Sequence, residues 1–198
     1  MSNLRGVRCA ASCRMDSCAP HFPLRPPLPF CYETCVRSAV LKDISRLVVK
    51  LGTGVLTDSR KQPELVQMEQ LVAQVAAQRK AGREVVLVTS GAVGAGMGVL
   101  GFEARPKELA ELQACAAVGQ SRLMTTYENL FAKSDLHVAQ VLLTHEDLEH
   151  HERHLNARNT LVALLDRGVI PIINENDAVS WTELKFGDND KLSALVAS

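Results

Sequence analysis

Three short stretches of this sequence combine glycines with polar side chains that could bind charged groups. In the first, Lys50 precedes a glycine turn, Gly52-Thr53-Gly54. A lysine beside such a turn can direct its ammonium group at a phosphate while backbone N–H groups approach the same anion. The pattern is not a Walker A loop, because the lysine precedes the glycines. A surface lysine beside an ordinary turn is the competing interpretation.

The second stretch is Thr89-Ser90-Gly91-Ala92, with further glycines at Gly94, Gly96 and Gly98. Small residues allow backbone amides to face a ligand, and the Ser90 hydroxyl can both donate and accept a hydrogen bond. A tight crossover from a strand to a helix explains the same glycines without a ligand. The residues by themselves leave both interpretations open.

The third stretch contains two clusters rich in Asn and Asp, Asn174-Glu175-Asn176-Asp177 and Gly187-Asp188-Asn189-Asp190. Carboxylates pair with an ammonium group and amide N–H groups bind a carboxylate, so the clusters suit a zwitterionic ligand. Turns and helix caps are the alternative, and the second cluster is placed to cap the helix that follows it. The N-terminus of that helix would also attract an anion through its dipole and free N–H groups.

The segments that must position these stretches alternate between strands and helices. Short apolar runs predict four buried strands, at 46–50, 84–88, 137–143 and 169–174. Apolar residues at helical spacing predict helices at 63–80, 107–131 and 144–166. Pro63 is placed for a first turn, Thr144 and Asp147 for a capping box, and Gly82 and Gly168 for helix ends.

This alternation predicts an α/β fold, in which a parallel sheet carries helices on both faces. In such sheets the ligand lies beyond the carboxyl ends of the strands. Three of the four predicted strands end in the polar or glycine-rich stretches described above. The carboxyl edge of the sheet is therefore the predicted binding site.

The composition is that of a soluble globular protein. The chain has 198 residues, of which 46% are hydrophobic and 22% are charged, enough for one domain with its own core. Its 22 basic and 22 acidic residues cancel, which gives no basis for electrostatic capture by nucleic acid or a membrane surface. No apolar run approaches the ~20 residues of a membrane-spanning helix.

Residues 1–44 differ from the rest of the chain. They contain five of the six cysteines, and five of the eight prolines lie between Pro20 and Pro29. Proline removes a backbone donor, so this run can form neither a helix nor an inner strand. We interpret 1–44 as a disordered or non-native leader, and 45–198 as the folded part. The cysteine spacing is a poor match to a zinc knuckle, and we predict no metal site.

Four histidines and one cysteine in the folded part could also suggest chemistry. The histidines are His145, His150, His151 and His154. They lack the H-E-x-x-H pattern of a zinc protease, so a solvated polar helix face is the favoured interpretation. Cys115 lies on an apolar helical face and is predicted to be a core residue.

Six motifs, in order, give the sequence a family resemblance: KLGTG, VTSGA, AAVGQSRL, LNARNT, INENDAV and GDND. From about Arg46 to the last residue the chain resembles the glutamate 5-kinases of the amino acid kinase family. The short segment between the two Asn/Asp clusters is similar to stand-alone microbial enzymes rather than to fused pyrroline-5-carboxylate synthases. Gly54 stands where many relatives have serine, a difference the turn should tolerate. The implied fold is a parallel-sheet αβα sandwich.

The resemblance implies phosphorylation of the γ-carboxylate of L-glutamate by Mg-ATP, the first step of proline biosynthesis. It implies catalytic roles for Lys50, on the transferring phosphoryl group, and for Asp190, which orients the catalytic lysines. It implies ATP binding by Lys50, Gly52 and Thr53. It implies that L-glutamate is bound by Ser90, Asp177 and Asn189.

The same resemblance has implications for the protein's localisation, oligomeric state and partners. It implies a cytoplasmic enzyme, homo-oligomeric in its full-length form, with proline as a feedback inhibitor and no nucleic-acid or membrane partner for this segment. The family's domain continues past GDND into the half that holds the nucleotide, so we expect the 198-residue chain alone to lack kinase activity. Two alternatives remain open: another amino acid kinase, such as an acetylglutamate or aspartate kinase, and a truncated, non-catalytic glutamate-binding module.

Overall fold

The computed structural model describes residues 43–56, 64–179 and 189–197. The chain divides into two units, Met1–Lys42 and Asp43–Ser198, and all of the described residues lie in the second. Some predictions fall outside the described residues: those for the five N-terminal cysteines, for Pro63, and for Gly187 and Asp188.

Strands and helices alternate along the described chain, as the sequence predicts. The strands are β1 Arg46–Lys50, β2 Glu84–Val88, β3 Val138–Leu143 and β4 Ile170–Glu175. The helices are α1 Thr53–Leu56, α2 Leu65–Lys80, α3 Ala92–Leu100, α4 Leu109–Ala132, α5 His145–Glu149, α6 His151–Asp166 and α7 Asn189–Ala197. The four predicted strands agree with the observed ones to within a residue at each end.

The described strands form one parallel sheet in the order β1-β2-β4-β3. The last residues of neighbouring strands pair with each other: Lys50 pairs with Val88, and Leu143 with Glu175. All four carboxyl ends therefore lie along the same edge of the sheet. This confirms the α/β fold class and places the three polar stretches side by side.

Successive residues of β2 enter opposite cores, because side chains alternate along a strand. Val85 and Leu87 pack with residues of α2 and α4, among them Tyr127. Val86 and Val88 pack on the other face with Leu165 of α6 and Leu192 of α7. Helices therefore cover both faces of the sheet, as predicted. Cys115 is fully buried in a third cluster, between α3 and α4, which confirms its assignment to the core.

Most of the glycine-rich stretch after β2 is helical, from Ala92 to Leu100, whereas Thr89, Ser90 and Gly91 precede the helix. Gly91 is in the left-handed region, with φ 99°, and α3 begins at the next residue. A Cβ atom at Gly96 would lie 1.8 Å from the carbonyl oxygen of Cys115, and one at Gly119 would lie 1.7 Å from that of Ala92. The two glycines therefore let the backbones of α3 and α4 touch. The crossover interpretation therefore explains Gly91 and Gly96, and ligand binding by Ser90 stays a prediction.

The helix predicted for 144–166 is two helices. Thr144 caps α5 through a capping box, in which its hydroxyl accepts from the Asp147 N–H and the Asp147 carboxylate accepts from the Thr144 N–H. The backbone then leaves the helical region at His150, with φ −86° and ψ 117°, before α6 begins. The positions of the capping box and of Gly168, with φ 77° after α6, are confirmed.

Gly119→Ala should destabilise the protein. Its methyl group would overlap the Ala92 carbonyl, and overpacking of this kind costs about 1–3 kcal/mol, against the gain of ~1 kcal/mol that alanine usually brings to a helix. We expect a net loss of about 1 kcal/mol in the free energy of unfolding, the middle of the overpacking range less the helix gain, measured by urea denaturation. Gly54→Ala is the matched control, because no atom lies within 4 Å of its added Cβ. Equal stability of the two variants would contradict the contact.

Asp147→Asn should change how stability depends on pH. Burial opposes ionisation of Asp147, but hydrogen bonds from the Thr144 N–H and hydroxyl, together with Arg153, outweigh it and lower its pKa. A lowered carboxyl pKa stabilises the fold above the unfolded-state value, and this stability is lost as the pH falls through the folded-state value. The variant should lose about 0.5–2 kcal/mol at pH 7 and decline less steeply below about pH 4. If urea denaturation at several pH values gave parallel stability curves for Asp147→Asn and the unchanged protein, the lowered pKa of Asp147 would not contribute to stability.

Candidate functional site

Lys50, the last residue of β1, forms an ion pair with Asp190 in the first turn of α7. The Lys50 Nζ atom lies 2.5 Å from Asp190 Oδ1, and the two side chains are 32% and 71% exposed. A Cβ atom at Gly52 would lie 3.2 Å from Lys50 Nζ, so the glycine leaves room for the ammonium group over the turn. Thr53 then begins α1 as an exposed residue. The arrangement holds a cation at the carboxyl edge of the sheet and within reach of solvent.

The carboxamide of Asn189 connects three segments at the same edge. Its Nδ2 atom donates to the Thr89 carbonyl oxygen at 2.7 Å, to Ser90 Oγ at 2.9 Å and to Asn174 Oδ1 at 3.0 Å. Asn189 is only 8% exposed. The first turn of α7 is thereby tied to the chain just after β2 and to the end of β4.

The hydrogen bonds continue from Asn174 into the helical layer. Asn174 Nδ2 donates to Gln120 Oε1 of α4 at 2.8 Å. The hydroxyl groups of Thr89 and Tyr127, also on α4, lie 2.8 Å apart. Burial raises the pKa of Tyr127 to about 12, although its bond to Thr89 acts in the other direction, so the phenol stays protonated at neutral pH. We call the chain Thr89–Asn189–Asn174–Gln120 the amide relay.

A small cavity of about 250 Å³ lies beside the amide relay. Polar and apolar residues line it: Gln120, Ser121, Gln140, Glu175, Asn176 and Asp177, with Ala92, Ala116, Ala117, Leu142 and Ala178. Glu175 is buried and Asp177 is half-buried. The residues that line the cavity therefore include the half-buried acid Asp177 and several residues with side-chain amides.

The amino acid kinase family model matches residues 45–198. The chain belongs to the amino acid kinase family. The sheet, the ion pair at Lys50 and the amide relay all lie within the matched residues.

Curated members of the family are similar to this chain over most of its length. It is 54% identical over 160 residues to the glutamate 5-kinase of Ralstonia nicotianae, covering 81% of this chain and 43% of the relative. It is 56% identical over 157 residues to the glutamate 5-kinase of Moorella thermoacetica, covering 79% and 42%. The identity to that of Burkholderia ambifaria is 52% over 160 residues, covering 81% and 43%. The chain thus spans less than half the length of these relatives.

The resemblance inferred from the six motifs is confirmed, and the structure of this amino acid kinase chain brings several predicted site residues together. Lys50 contacts Asp190, and Ser90 contacts Asn189. Gly52 and Thr53 follow Lys50 at the same edge, whereas Asp177 lines the cavity. The binding and catalytic roles of these residues remain predictions.

Sequence reasoning assigned no individual role to Asn174, Gln120, Thr89 or Tyr127. Two sequence features could have drawn attention to Asn174 and Gln120: Asn174 ends a predicted strand, and Gln120 lies in the AAVGQSRL motif. Neither feature could show that the two side chains meet, because they are 54 residues apart in sequence. Their contact depends on α4 packing against the sheet.

The solvated-face interpretation of the histidines is wrong for His145. Its Nδ1 atom lies 3.5 Å from Glu175 Oε2, and the two side chains are only 15% and 2% exposed. The capping box places His145 in the first turn after β3, which pairs with β4 up to Glu175. His154 is half-buried, and its Nδ1 atom lies 3.2 Å from the Leu148 carbonyl oxygen. His150 and His151 are exposed, as expected.

Within the described residues, no group of three or more His, Cys, Asp or Glu side chains is arranged to hold a metal ion. No helix of the described chain combines the length and apolar character needed to cross a bilayer.

Asn189→Ala should destabilise the protein more than Ser90→Ala. The first change deletes three hydrogen bonds and leaves the buried Asn174 oxygen without its donor, at a cost of about 2–4 kcal/mol. The second removes one acceptor, which is worth about 0.5–1.5 kcal/mol. Urea denaturation of both variants measures the difference. Equal losses would show that Asn189 does not hold the segments together.

Proposed function

We propose that this chain is the glutamate-binding part of a glutamate 5-kinase, which transfers a phosphoryl group from ATP to the γ-carboxylate of L-glutamate. The product is glutamyl 5-phosphate, the first intermediate of proline biosynthesis. The identities of 52–56% to proteins named glutamate 5-kinase support this assignment.

The main support for this proposal is that two polar contacts, one at Lys50 and one at Ser90, lie close together at the carboxyl edge of the sheet. The Lys50–Asp190 ion pair and the Asn189–Ser90 hydrogen bond involve adjacent residues of α7. A cation for a phosphoryl group and polar groups for an acceptor carboxylate are thereby held next to each other. Phosphoryl transfer depends mainly on such alignment and on compensation of charge.

Each residue has a chemically reasonable task in this proposal. Lys50 would compensate the negative charge of the transferring phosphoryl group, with Asp190 fixing the position of its ammonium group. Gly52 and Thr53 would let backbone and hydroxyl groups approach the nucleotide phosphates. No general base is required, because the γ-carboxylate of glutamate is already ionised at neutral pH. Mg²⁺ would arrive with the nucleotide.

Ser90, Asp177 and Asn189 would bind the L-glutamate substrate. Asp177 lines the cavity, and its carboxylate suits the ammonium group of an amino acid. Ser90 and Asn189 lie near Lys50, at the end of the carboxyl edge where the phosphoryl group would be held. We call this end the phosphoryl-facing edge, and its polar groups suit the γ-carboxylate. The distribution of charge therefore matches an amino acid that reaches from the cavity toward Lys50.

The wider setting follows from the family resemblance. We infer a cytoplasmic, homo-oligomeric enzyme that proline inhibits. Proline carries the same α-ammonium and α-carboxylate groups as glutamate, which supports competition for the same cavity. The exposed apolar residues of α2, Leu65 and Val66, are compatible with burial against another subunit.

Asp177→Asn should weaken L-glutamate binding. Loss of a charge-assisted contact to the ammonium group costs about 1.5–3 kcal/mol, which corresponds to a ten- to hundredfold higher Kd. Isothermal titration of the 198-residue chain with L-glutamate measures the change. Asp166→Asn, at the exposed end of α6, is the matched control and should leave the Kd unchanged.

The choice of ligand separates this proposal from its alternatives. N-acetyl-L-glutamate lacks the ammonium group, so tight binding of that ligand, insensitive to Asp177→Asn, would instead indicate an acetylglutamate kinase. L-aspartate bound more tightly than L-glutamate would indicate an aspartate kinase. Binding of L-glutamate without phosphorylation by MgATP would identify this chain as a binding module.

A further inference from the structure

Gln120 is a buried polar residue with an unused hydrogen-bonding group. It lies on α4 directly after Gly119, where the backbones of α3 and α4 touch, and it is 9% exposed. Its Oε1 atom accepts from Asn174, whereas its Nε2 atom has no hydrogen-bond partner among the described residues. The same side chain lines the cavity that contains Asp177. A buried donor without a partner costs about 1–3 kcal/mol, so its retention needs an explanation.

The amide relay fixes which end of the Gln120 carboxamide remains unused. The Thr89 carbonyl oxygen can only accept, so the group of Asn189 that faces it must be the Nδ2 donor. That same donor faces Asn174, whose Oδ1 atom must therefore accept and whose Nδ2 atom must donate onward. Gln120 consequently accepts through Oε1, and only its N–H groups are left to interact with a ligand. The Thr89 backbone carbonyl thus determines the polarity of Gln120, the third residue along the relay from Thr89.

The lining of the cavity also includes an acidic residue, Asp177. Asp177 is half-buried and carries a carboxylate, and the alanines around it leave space without competing for side-chain hydrogen bonds. A ligand with an ammonium group for the Asp177 carboxylate and an anionic oxygen for the Gln120 N–H groups would satisfy both. The two groups must be close together, since both sides belong to a cavity of about 250 Å³. An α-amino acid carries such a pair on one carbon atom.

We propose that Gln120 binds the α-carboxylate of the amino-acid substrate and thereby selects for α-amino acids. This inference rests on the proposed function and adds to it a residue that recognises the α-carboxylate. The γ-carboxylate is excluded as the partner of Gln120, because it must reach the phosphoryl-facing edge at Lys50 and Ser90. Binding would also polarise the amide relay and strengthen the contacts of Asn189, because linked hydrogen bonds reinforce one another.

The test observes the Gln120 side-chain amide by NMR in the uniformly ¹⁵N-labelled 198-residue chain. Its resonances are assigned by their absence from Gln120→Met, a variant of similar size that lacks both donor and acceptor. Addition of L-glutamate should shift these resonances. Addition of 4-aminobutyrate, which lacks the α-carboxylate, should leave them in place.

Affinity gives a second measurement. Gln120→Met should raise the Kd for L-glutamate about tenfold or more, the effect of losing ~1.4 kcal/mol, and lower the preference for L-glutamate over 4-aminobutyrate. Gln74→Met, at an exposed position of α2, is the control and should change neither value. If Gln120 were purely structural, Gln120→Met would weaken the binding of both ligands equally and lower the melting temperature of the protein.

The outcomes distinguish this inference from the proposed function. Binding of L-glutamate with unshifted Gln120 resonances and an unchanged Kd in Gln120→Met would overturn the inference and leave the proposed function standing. A shift of the Gln120 resonances with L-aspartate, together with no binding of L-glutamate, would overturn the proposed function and leave the inference about Gln120 standing. No response to either amino acid would overturn both.

Discussion

The buried carboxamide of Asn189 holds together the chain segments from which the site is built. Its three acceptors belong to the chain after β2 and to the end of β4, and its own backbone begins α7. Because the next residue is Asp190, the same turn that buries an amide presents a carboxylate to Lys50. The Lys50–Asp190 ion pair and the proposed substrate cavity are therefore linked through one turn of helix. A shift of α7 would disturb both at once.

This arrangement depends in turn on the close contact between α3 and α4. Gly96 and Gly119 let the two helix backbones touch, which no larger residue would permit without displacement of a backbone. That contact places Gln120 against Asn174, and Tyr127, two turns further along α4, against Thr89. Gly96, one of the glycines that could have faced a ligand, thus serves with Gly119 to position amide and hydroxyl groups. Helix packing and polar recognition are connected here through the backbone.

Much of the fold could be predicted from the sequence, because it is encoded in local patterns. The apolar runs of β1 to β4, the capping box at Thr144 and the stop at Gly168 each depend on residues that are neighbours in the chain. The break at His150 was missed because the apolar periodicity continues across it. His145 was misjudged for a related reason: its partner Glu175 is 30 residues away in sequence and reaches it through the pairing of β3 with β4.

The sequence by itself determined the family, the parallel sheet and the edge at which the polar residues collect. The six motifs, the strand periodicity and the rule that ligands bind at the carboxyl ends of parallel strands were sufficient for this. Only the tertiary structure decided which polar residues touch. The amide relay joins residues from α4, α7 and two strand ends, and its polarity follows from a backbone carbonyl whose orientation the sequence does not encode. Hydrogen bonds are short and directional, so their partners emerge only after the helices have packed on the sheet.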